Sequence, residues 1–367
     1  MTNENVDSKK KSNLIKYIIS FVFLIVLIAI TFYIIFSKYD FNCLIAVIKN
    51  IDTKYFLIAV ALIFVYIFFE SCATKIILST LGDKSTLFHN IEYSCIDYYF
   101  CAITPSASGG QPMVLYYMAK DKTSIAHGSQ TLLINTALFK IVLVFLSLIS
   151  IFFCKSLIAD STLLLILLII GFVINIALIV LCFLATFKTK WIDRAGKKII
   201  FWLSHIKLIK RPLYWFRKFD AKMEEYASGA KLLSQHKLTF FLAFLFNLIQ
   251  RIALFSSAYF IYKSFASVYP NLGSFSYFYL FSIQVIIAMS VDSLPLPGGI
   301  GISEYLYSIT FDSIYLTVSK ELVASAMLLT RAVSFYIPLL LTAFVVILKQ
   351  IRIILKDRKK FKNQNEE

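Results

Sequence analysis

One long apolar run of this chain is broken by a short stretch that cannot continue a helix, residues 294–304, with the sequence LPLPGGIGISE. Proline removes a backbone donor and glycine favours non-helical backbone, so the stretch is expected to unwind and leave free N–H and C=O groups. At membrane depth such groups are tolerated only where protein or a water-filled cavity surrounds them. The stretch is therefore the first candidate for a functional site.

The composition indicates that this break lies inside a membrane protein. The 367 residues are 59% hydrophobic and only 16% charged, with 35 Phe and 21 Tyr, which is unusual for a soluble domain. We predict an all-α, polytopic membrane helix bundle with about eight crossings and two Gly/Pro-broken segments that form re-entrant or half-helices. The net charge of +16 indicates cytoplasmic basic loops and affinity for anionic lipid rather than for nucleic acid.

The sequence lacks the patterns of metal, cofactor and hydrolase sites. Its six cysteines are scattered singly, and its four histidines show no metal-ligand spacing. No serine lies in a nucleophile-elbow pattern. We expect neither a metal nor a cofactor.

The apolar runs divide the chain into a basic N-terminus (residues 1–16), a transmembrane bundle (17–348) and a basic tail (349–367). The predicted spans are residues 17–36, 55–78, 131–153, 162–187, 238–262, 275–293 and 322–348. The first run has no small-residue cleavage site, so a retained helix is favoured over a signal peptide. Both termini are expected to be cytoplasmic because of their lysines and arginines.

A second break, TPSASGGQP, lies at residues 104–112. The apolar pieces around it, within residues 91–128, are too short to cross a membrane, so they are predicted to form a re-entrant pair of half-helices with Pro112 at the first helical position of the second half. A short helix at residues 304–318 is expected after the other break. The two breaks lie in corresponding places of the two halves, as in transporters whose discontinuous helices form a midplane site.

Residues 188–237 are predicted to form a cytoplasmic segment. They contain thirteen Lys or Arg, four Asp or Glu, and all three tryptophans. This pattern favours amphipathic helices on the membrane surface. The alternative is a solvated basic linker.

Seven ionisable residues fall at predicted membrane depth: Glu70, Asp97, Lys140, Arg251, Asp292, Glu304 and Arg331. A charge at the bilayer centre costs about 2.5–3.5 kcal/mol, so each is expected to face the bundle interior with a partner. Four acids and three bases permit near-complete pairing. Salt bridges that fix helix registry would explain this set without a function, and Asp292 is also compatible with the membrane interface.

A lipid headgroup site is the functional interpretation of these charges, with Arg331, Arg251, Glu304, Asp97 and Lys140 as its residues. The arginines are the better phosphate ligands because a guanidinium offers a planar fork of donors. Glu304 and Asp97 would meet an amine or a water chain. The glycine backbone before Glu304 could add amide donors at a helix N-terminus, where a carboxylate is also favoured without any function.

The two breaks, in this order and with Arg331 and Pro338 on the last span, resemble the transmembrane region of the lysylphosphatidylglycerol synthase family. The resemblance covers residues 17–348 and implies a membrane flippase module for aminoacylated phosphatidylglycerol. In full-length synthases it also implies a soluble domain that transfers lysine from lysyl-tRNA to that lipid. The matching residues are Pro105, Gly109, Gly110, Gln111, Pro112, Pro295, Pro297, Gly298, Gly299, Gly301, Glu304 and Arg331.

The last predicted span is followed by about nineteen residues, so we expect no room for the soluble lysyl-transfer domain. The favoured function is binding and translocation of phosphatidylglycerol or its lysyl ester across the cytoplasmic membrane. One alternative is a component of a phosphatidylglycerol lysyltransferase that uses lysyl-tRNA and gives resistance to cationic peptides. The other is an accessory scaffold for a soluble synthase or a lipid-linked glycosyltransferase.

Overall fold

The computed structural model describes residues 49–104, 107–206, 212–292, 294, 296, 299, 301–315 and 320–364. This part of the chain is built from helices and contains no strand, which confirms the predicted all-α class. The N-terminal segment and the first predicted span, residues 17–36, lie outside the described residues.

The helices follow one another with short connections. In chain order they are α1 (Thr53–Thr80), α2 (Leu87–Ile103), α3 (Gly110–Lys120), α4 (Ile125–Phe153), α5 (Lys155–Asp160), α6 (Thr162–Phe187), α7 (Thr189–His205), α8 (Pro212–Gln235), α9 (Lys237–Ala266), α10 (Tyr277–Val291), α11 (Ile302–Tyr315), α12 (Lys320–Arg331) and α13 (Ile337–Gln364). A 3₁₀ turn covers Pro270–Leu272, and a π-helical turn, Ala332–Tyr336, joins α12 to α13.

Five stretches of the described chain are long and apolar enough to cross a membrane: α1, α4, α6, α9 and Leu322–Ile353. The shorter α10 is also apolar. Side-chain caps determine several of their starts. The Ser124 hydroxyl accepts from the Ala126 N–H, and the Ser161 hydroxyl accepts from the Leu164 N–H, which is the preferred chemistry of an N-cap. Because of the Ser124 cap, α4 begins six residues before its predicted start at residue 131.

Two close helix contacts organise the bundle. Helix α1 packs along α9 more extensively than any other pair of helices. Helix α6 approaches α10 at Gly171, where a Cβ would overlap the Met289 carbonyl oxygen. Only glycine permits backbone to meet backbone at this point.

Helices α2 and α3 form an antiparallel hairpin with the first break at its tip. The Tyr93 hydroxyl, near the start of α2, donates to Asp121 Oδ2 at the end of α3, at 3.0 Å. The re-entrant arrangement predicted for this region agrees with that geometry. The predicted position of Pro112 was wrong, because α3 begins at Gly110 and the proline is its third residue. A proline is tolerated there because the first N–H groups of a helix have no intrahelical acceptor.

The basic segment contains two amphipathic helices, α7 and α8, as predicted. They pack together where Gly196 lies under the Phe219 ring. Helix α8 is also attached to the bundle, since Gln130 Nε2 of α4 donates to the Tyr226 carbonyl at 2.8 Å. All three tryptophans are exposed. Their contact with a membrane surface stays a prediction.

The last predicted span, residues 322–348, has a missing backbone hydrogen bond near its middle, and its helix ends later than predicted. Pro338 has no N–H to donate to the Ser334 carbonyl four residues earlier. The Tyr98 hydroxyl of α2 donates to that carbonyl instead, at 2.7 Å. The helix continues past the predicted end at residue 348, and Lys349, expected in a basic tail, is only 3% exposed.

Candidate functional site

The first break brings α3 into contact with the predicted acid Asp97. A Cβ at Gly110 would overlap Asp97 Oδ1 and Cys101 Sγ, so glycine is needed for this approach. The Gly109 N–H donates to Thr104 Oγ1 at 2.9 Å. Gln111 attaches the break to α4, because its Nε2 donates to Thr136 Oγ1 at 2.6 Å. Pro105 lies outside the described residues.

The second break uses its glycines differently. Gly299 and Gly301 have φ values of 64° and 90°, which residues with a Cβ rarely adopt. The Gly301 N–H donates to Glu304 Oε2 at 2.5 Å, and the Gly299 N–H donates to the Leu296 carbonyl. Glu304 therefore caps α11 by reaching back to the preceding turn. Pro295, Pro297 and Gly298 lie outside the described residues.

The two described glycine amides of this break thus have acceptors within the chain. The expected anion site on the glycine backbone gains no free donor from Gly299 or Gly301. The first break needs glycine for close approach, whereas the second needs it for its backbone conformation. The two motifs look alike in sequence, but their glycines serve different physical purposes.

Four of the predicted interior charges form two ion pairs across helices beside the second break. Arg331 Nε lies 2.7 Å from Glu304 Oε1, although its N–H is not aligned for a linear hydrogen bond to that oxygen. Lys140 of α4 forms an ion pair with Asp292, which follows α10. Both pairs are largely shielded from solvent. They join α12 to α11 and α4 to the end of α10.

Arg251 has no such partner among the residues that the structure describes. It lies at the middle of α9 and is 6% exposed, with its guanidinium carbon 3.2 Å from the Phe139 ring centroid. Among the described residues no carboxylate lies within ion-pair distance of it, and its Nε has no hydrogen-bond acceptor. The Lys140 ammonium lies 5.5 Å from the same ring. Cation–π stacking stabilises the guanidinium but leaves its N–H edge available.

Two acids, the buried Glu70 and the half-buried Asp97, lie near Arg251. Glu70 of α1 is within electrostatic range of both Asp97 and Arg251. Glu70 is 7% exposed, and its Oε2 has no hydrogen-bond donor in the described part of the chain. Two tyrosines, Tyr66 and Tyr98, complete the cluster and meet edge to face, with ring centroids 6.1 Å apart.

The structure therefore brings Arg251, Asp97 and Glu70 together and places Arg331, Glu304 and Lys140 in separate ion pairs around them. Tyr66, Tyr98 and Phe139 were not predicted as site residues, because only acidic and basic residues in apolar runs were selected. A signal for them exists in the sequence, because Tyr66 precedes Glu70 by one helical turn and the other two adjoin Asp97 and Lys140.

A second ionic cluster, also missed, lies where α13 meets the α2–α3 hairpin. Lys349 Nζ lies 2.6 Å from both Glu92 Oε2 and Asp121 Oδ2, and Arg352 Nη1 lies 2.5 Å from Glu92 Oε1. His89, Glu92 and Asp121 are close enough together to hold a metal ion. Lys349 and Arg352 supply two positive charges for the two carboxylates, so the cluster is complete as an ion-pair network.

A polar cavity of about 500 Å³ opens between the α1–α2 turn, the α3–α4 turn and α8. His127 lies in its wall, with Nδ1 2.7 Å from Asp83 Oδ2 and Nε2 3.9 Å from Glu225 Oε1. Lys222 is paired with Glu225. The cavity lies at the same end of the bundle as the basic helices and far along α4 from Lys140.

A bundle of membrane-length helices, with interior charges around two broken segments, defines a polytopic α-helical integral membrane protein. The family model described as the lysylphosphatidylglycerol synthase TM region matches residues 14–342, and the chain belongs to this family. No curated protein matches it.

Proposed function

We propose that this protein binds phosphatidylglycerol or its lysyl ester and carries it across the cytoplasmic membrane. Arg251 is the observation that supports the proposal most directly. It is a buried guanidinium that packs its face on Phe139 and makes no ion pair with a described residue. The acids near it, Glu70 and Asp97, do not reach ion-pair distance, and a permanently charged group at this depth is costly without a direct counterion.

A lipid phosphate is the counterion that would suit this position. Its oxygens match the fork of guanidinium donors, and its glycerol and acyl chains would remain in the bilayer while the headgroup enters the bundle. In this proposal Arg251 is the primary phosphate ligand. Arg331 is engaged by Glu304, so it would contribute only after that pair opens.

The two breaks would form the walls of the headgroup path. Asp97 touches the first break through Gly110, while Asp292 and Glu304 flank the second. Unwound backbone at membrane depth is typical of transporter binding sites. Under this proposal both termini and the α7–α8 segment are cytoplasmic, following the positive-inside rule.

Leaflet exchange in reconstituted liposomes tests the proposal. Fluorescent phosphatidylglycerol and its lysyl ester would be placed in both leaflets, and accessibility to an external quencher would be followed with time. We expect exchange faster than in empty liposomes and a loss of at least about tenfold in Arg251→Gln, which corresponds to about 1.4 kcal/mol. Arg217→Gln, at an exposed position of α8, is the matched control and should retain exchange.

Equal exchange in protein-containing and empty liposomes would overturn the transport proposal. Equal exchange in wild type and Arg251→Gln would overturn the assignment of Arg251 alone. The same preparations, supplied with lysyl-tRNA and labelled lysine, would show labelled lipid if the chain itself had lysyltransferase activity.

A scaffold function is a second proposal, and it follows from α7 and α8. These helices expose Trp191, Trp202 and Trp215 beside many lysines and arginines, a surface suited to anionic lipid or to an acidic partner such as a soluble synthase or glycosyltransferase. Charge-neutralising substitutions of exposed lysines on α8 should abolish a scaffold function, whereas Arg251→Gln should leave it intact.

A further inference from the structure

The burial of helix α8 against the bundle begins directly after Glu225. The buried residues of α8 are Tyr226, Gly229, Ala230 and Leu233, and none of its residues before Tyr226 is buried. Helix α7, which contacts the first half of α8 at Phe219, has no buried residue either. Glu225 therefore lies at the point where the amphipathic segment emerges from the bundle.

His127, near the start of α4, lies between Glu225 and the α1–α2 turn. Its Nδ1 is 2.7 Å from Asp83 Oδ2, and its Nε2 is 3.9 Å from Glu225 Oε1. The three residues line the polar cavity of about 500 Å³, and their side chains are between 17% and 31% exposed. One imidazole ring thus faces a carboxylate of the bundle on one side and a carboxylate of α8 on the other.

A neutral imidazole ring can donate to only one of these carboxylates, because it carries a single N–H. The short distance to Asp83 places this N–H on Nδ1. The lone pair of Nε2 then faces the Glu225 carboxylate, and this contact is repulsive. A protonated ring instead donates from both nitrogens and attracts both carboxylates.

We propose that His127 is a pH-sensitive latch between the bundle and α8. The protonated ring joins Asp83 to Glu225 and holds the first half of α8, and loss of the proton releases that half together with α7. Histidine changes its charge between about pH 5 and pH 8. The attachment is therefore complete below this range and is lost as the pH rises through it. The latch depends on neither the transport proposal nor the scaffold proposal.

The other charged groups that line the cavity leave the pH dependence to His127. Lys222 Nζ lies 2.7 Å from Glu225 Oε2, but both residues belong to α8, so this pair does not join α8 to the bundle. Burial alone would raise the pKa of Glu225, but hydrogen bonds from Lys222 and Ser124 outweigh it and lower the pKa. Glu225 therefore stays ionised while histidine titrates. Lys122, on the α3–α4 turn, is exposed, and a lysine ordinarily keeps its charge over this range.

Neutral contacts hold the second half of α8 at any pH. Gln130 Nε2 donates to the Tyr226 carbonyl at 2.8 Å, and the Tyr226 hydroxyl donates to the Ala185 carbonyl of α6 at 2.9 Å. Gly229 lies against the Gln130 side chain, where a Cβ would overlap its oxygen. The movement that the latch controls is therefore confined to the part of α8 before Tyr226 and to α7.

A distance measurement between two spin labels tests the latch. The six native cysteines of the full-length chain would be replaced by alanine, and labels attached to Arg217→Cys on α8 and Lys120→Cys on α3, both at exposed positions. In lipid nanodiscs we expect a short, narrow distance distribution at about pH 5 and a longer, broader one at about pH 8. The ratio of the two populations should change about two- to fivefold, as for a partly exposed ion pair.

Three substitutions in the labelled protein identify the groups. His127→Gln should give one distribution at both pH values, because the titrating ring is gone. Glu225→Gln should also lose the pH response, because α8 then presents no carboxylate to the ring; its half-exposed position makes this variant informative even if His127→Gln does not fold. His236→Gln removes an exposed histidine just after α8 and is the matched control, which should keep the full response.

Two results would overturn the latch. One is the same distance distribution at both pH values in the labelled protein that carries His127 and Glu225. The other is a pH response that persists in both His127→Gln and Glu225→Gln. A shorter distance at the higher pH would contradict the proposed direction and reject the latch as well.

Discussion

Arg251 and Arg331 show that two arginines in apolar helices of one bundle can have very different surroundings. Arg331 is engaged by a carboxylate of the neighbouring helix, whereas Arg251 lies on an aromatic ring without an ion-pair partner among the described residues. Sequence reasoning selected both, because a guanidinium in an apolar run is costly and therefore informative. It gave no partner to either, since pairing depends on which helix faces lie together.

Substitutions of Arg331 and Glu304 should have strongly non-additive effects on the free energy of unfolding. We expect Arg331→Gln and Glu304→Gln each to destabilise the protein, and the double variant to be no less stable than the worse single one, giving a coupling energy of about 0.5–3 kcal/mol. Glutamine at position 304 can still accept from the Gly301 N–H, so this variant removes the charge but keeps the cap. Denaturant unfolding of the wild type, the two single variants and the double variant in detergent measures this coupling energy. Additive effects of the two single substitutions would contradict the expectation.

At the scale of the helices, the sequence predicted where the chain breaks but not how each break is used. Gly/Pro content alone located residues 104–112 and 294–304. The glycine roles could not be predicted, because close approach at Gly110 depends on how α3 folds back on Asp97 of the preceding helix. The π-helical turn after Arg331 also escaped prediction, although Pro338 indicated a disturbance.

The stability cost of replacing Tyr98 should depend on whether residue 338 is proline, because both residues determine which donor the Ser334 carbonyl has. Tyr98→Phe leaves that carbonyl without its donor, so we expect a loss of about 1–3 kcal/mol of stability. In a Pro338→Ala background the new N–H at position 338 can donate to the same carbonyl, and the cost of Tyr98→Phe should fall. Thermal unfolding of the four proteins measures this, and an equal cost in both backgrounds would show that Tyr98 and Pro338 are not coupled through the Ser334 carbonyl.

At the scale of the whole molecule, the order of spans and the position of the basic segment could be predicted from hydropathy and charge. The ionic cluster at Lys349 could not. A lysine that follows an apolar run looks like the start of a solvated tail, and only the meeting of α13 with the α2–α3 hairpin buries it. The apolar run in fact continues to Ile353. This continuation indicates a longer helix and was the feature of the sequence from which the burial of Lys349 could have been predicted.

Lys349 should matter far more to stability than Arg352, although both contact Glu92. The Lys349 side chain is 4% exposed and the Arg352 side chain is 45% exposed. Lys349→Met removes the cation that contacts Asp121 and leaves the buried Glu92 with only the exposed Arg352, so we expect a loss of about 3–5 kcal/mol. Arg352→Met should cost at most about 1 kcal/mol. Unfolding of each variant in detergent gives the comparison, and equal losses would contradict the importance of burial.

The contact between Gly171 and the Met289 carbonyl determines which parts of the molecule are free to move. Helices α6 and α10 touch through their backbones, with no side chain between them to change rotamer and absorb a displacement. They therefore act as a fixed frame at the entrance to the second break. Under the transport proposal, the opening that admits a headgroup must come from the opposite side of the second break, by movement of the α2–α3 hairpin or of α11 and α12 against that frame.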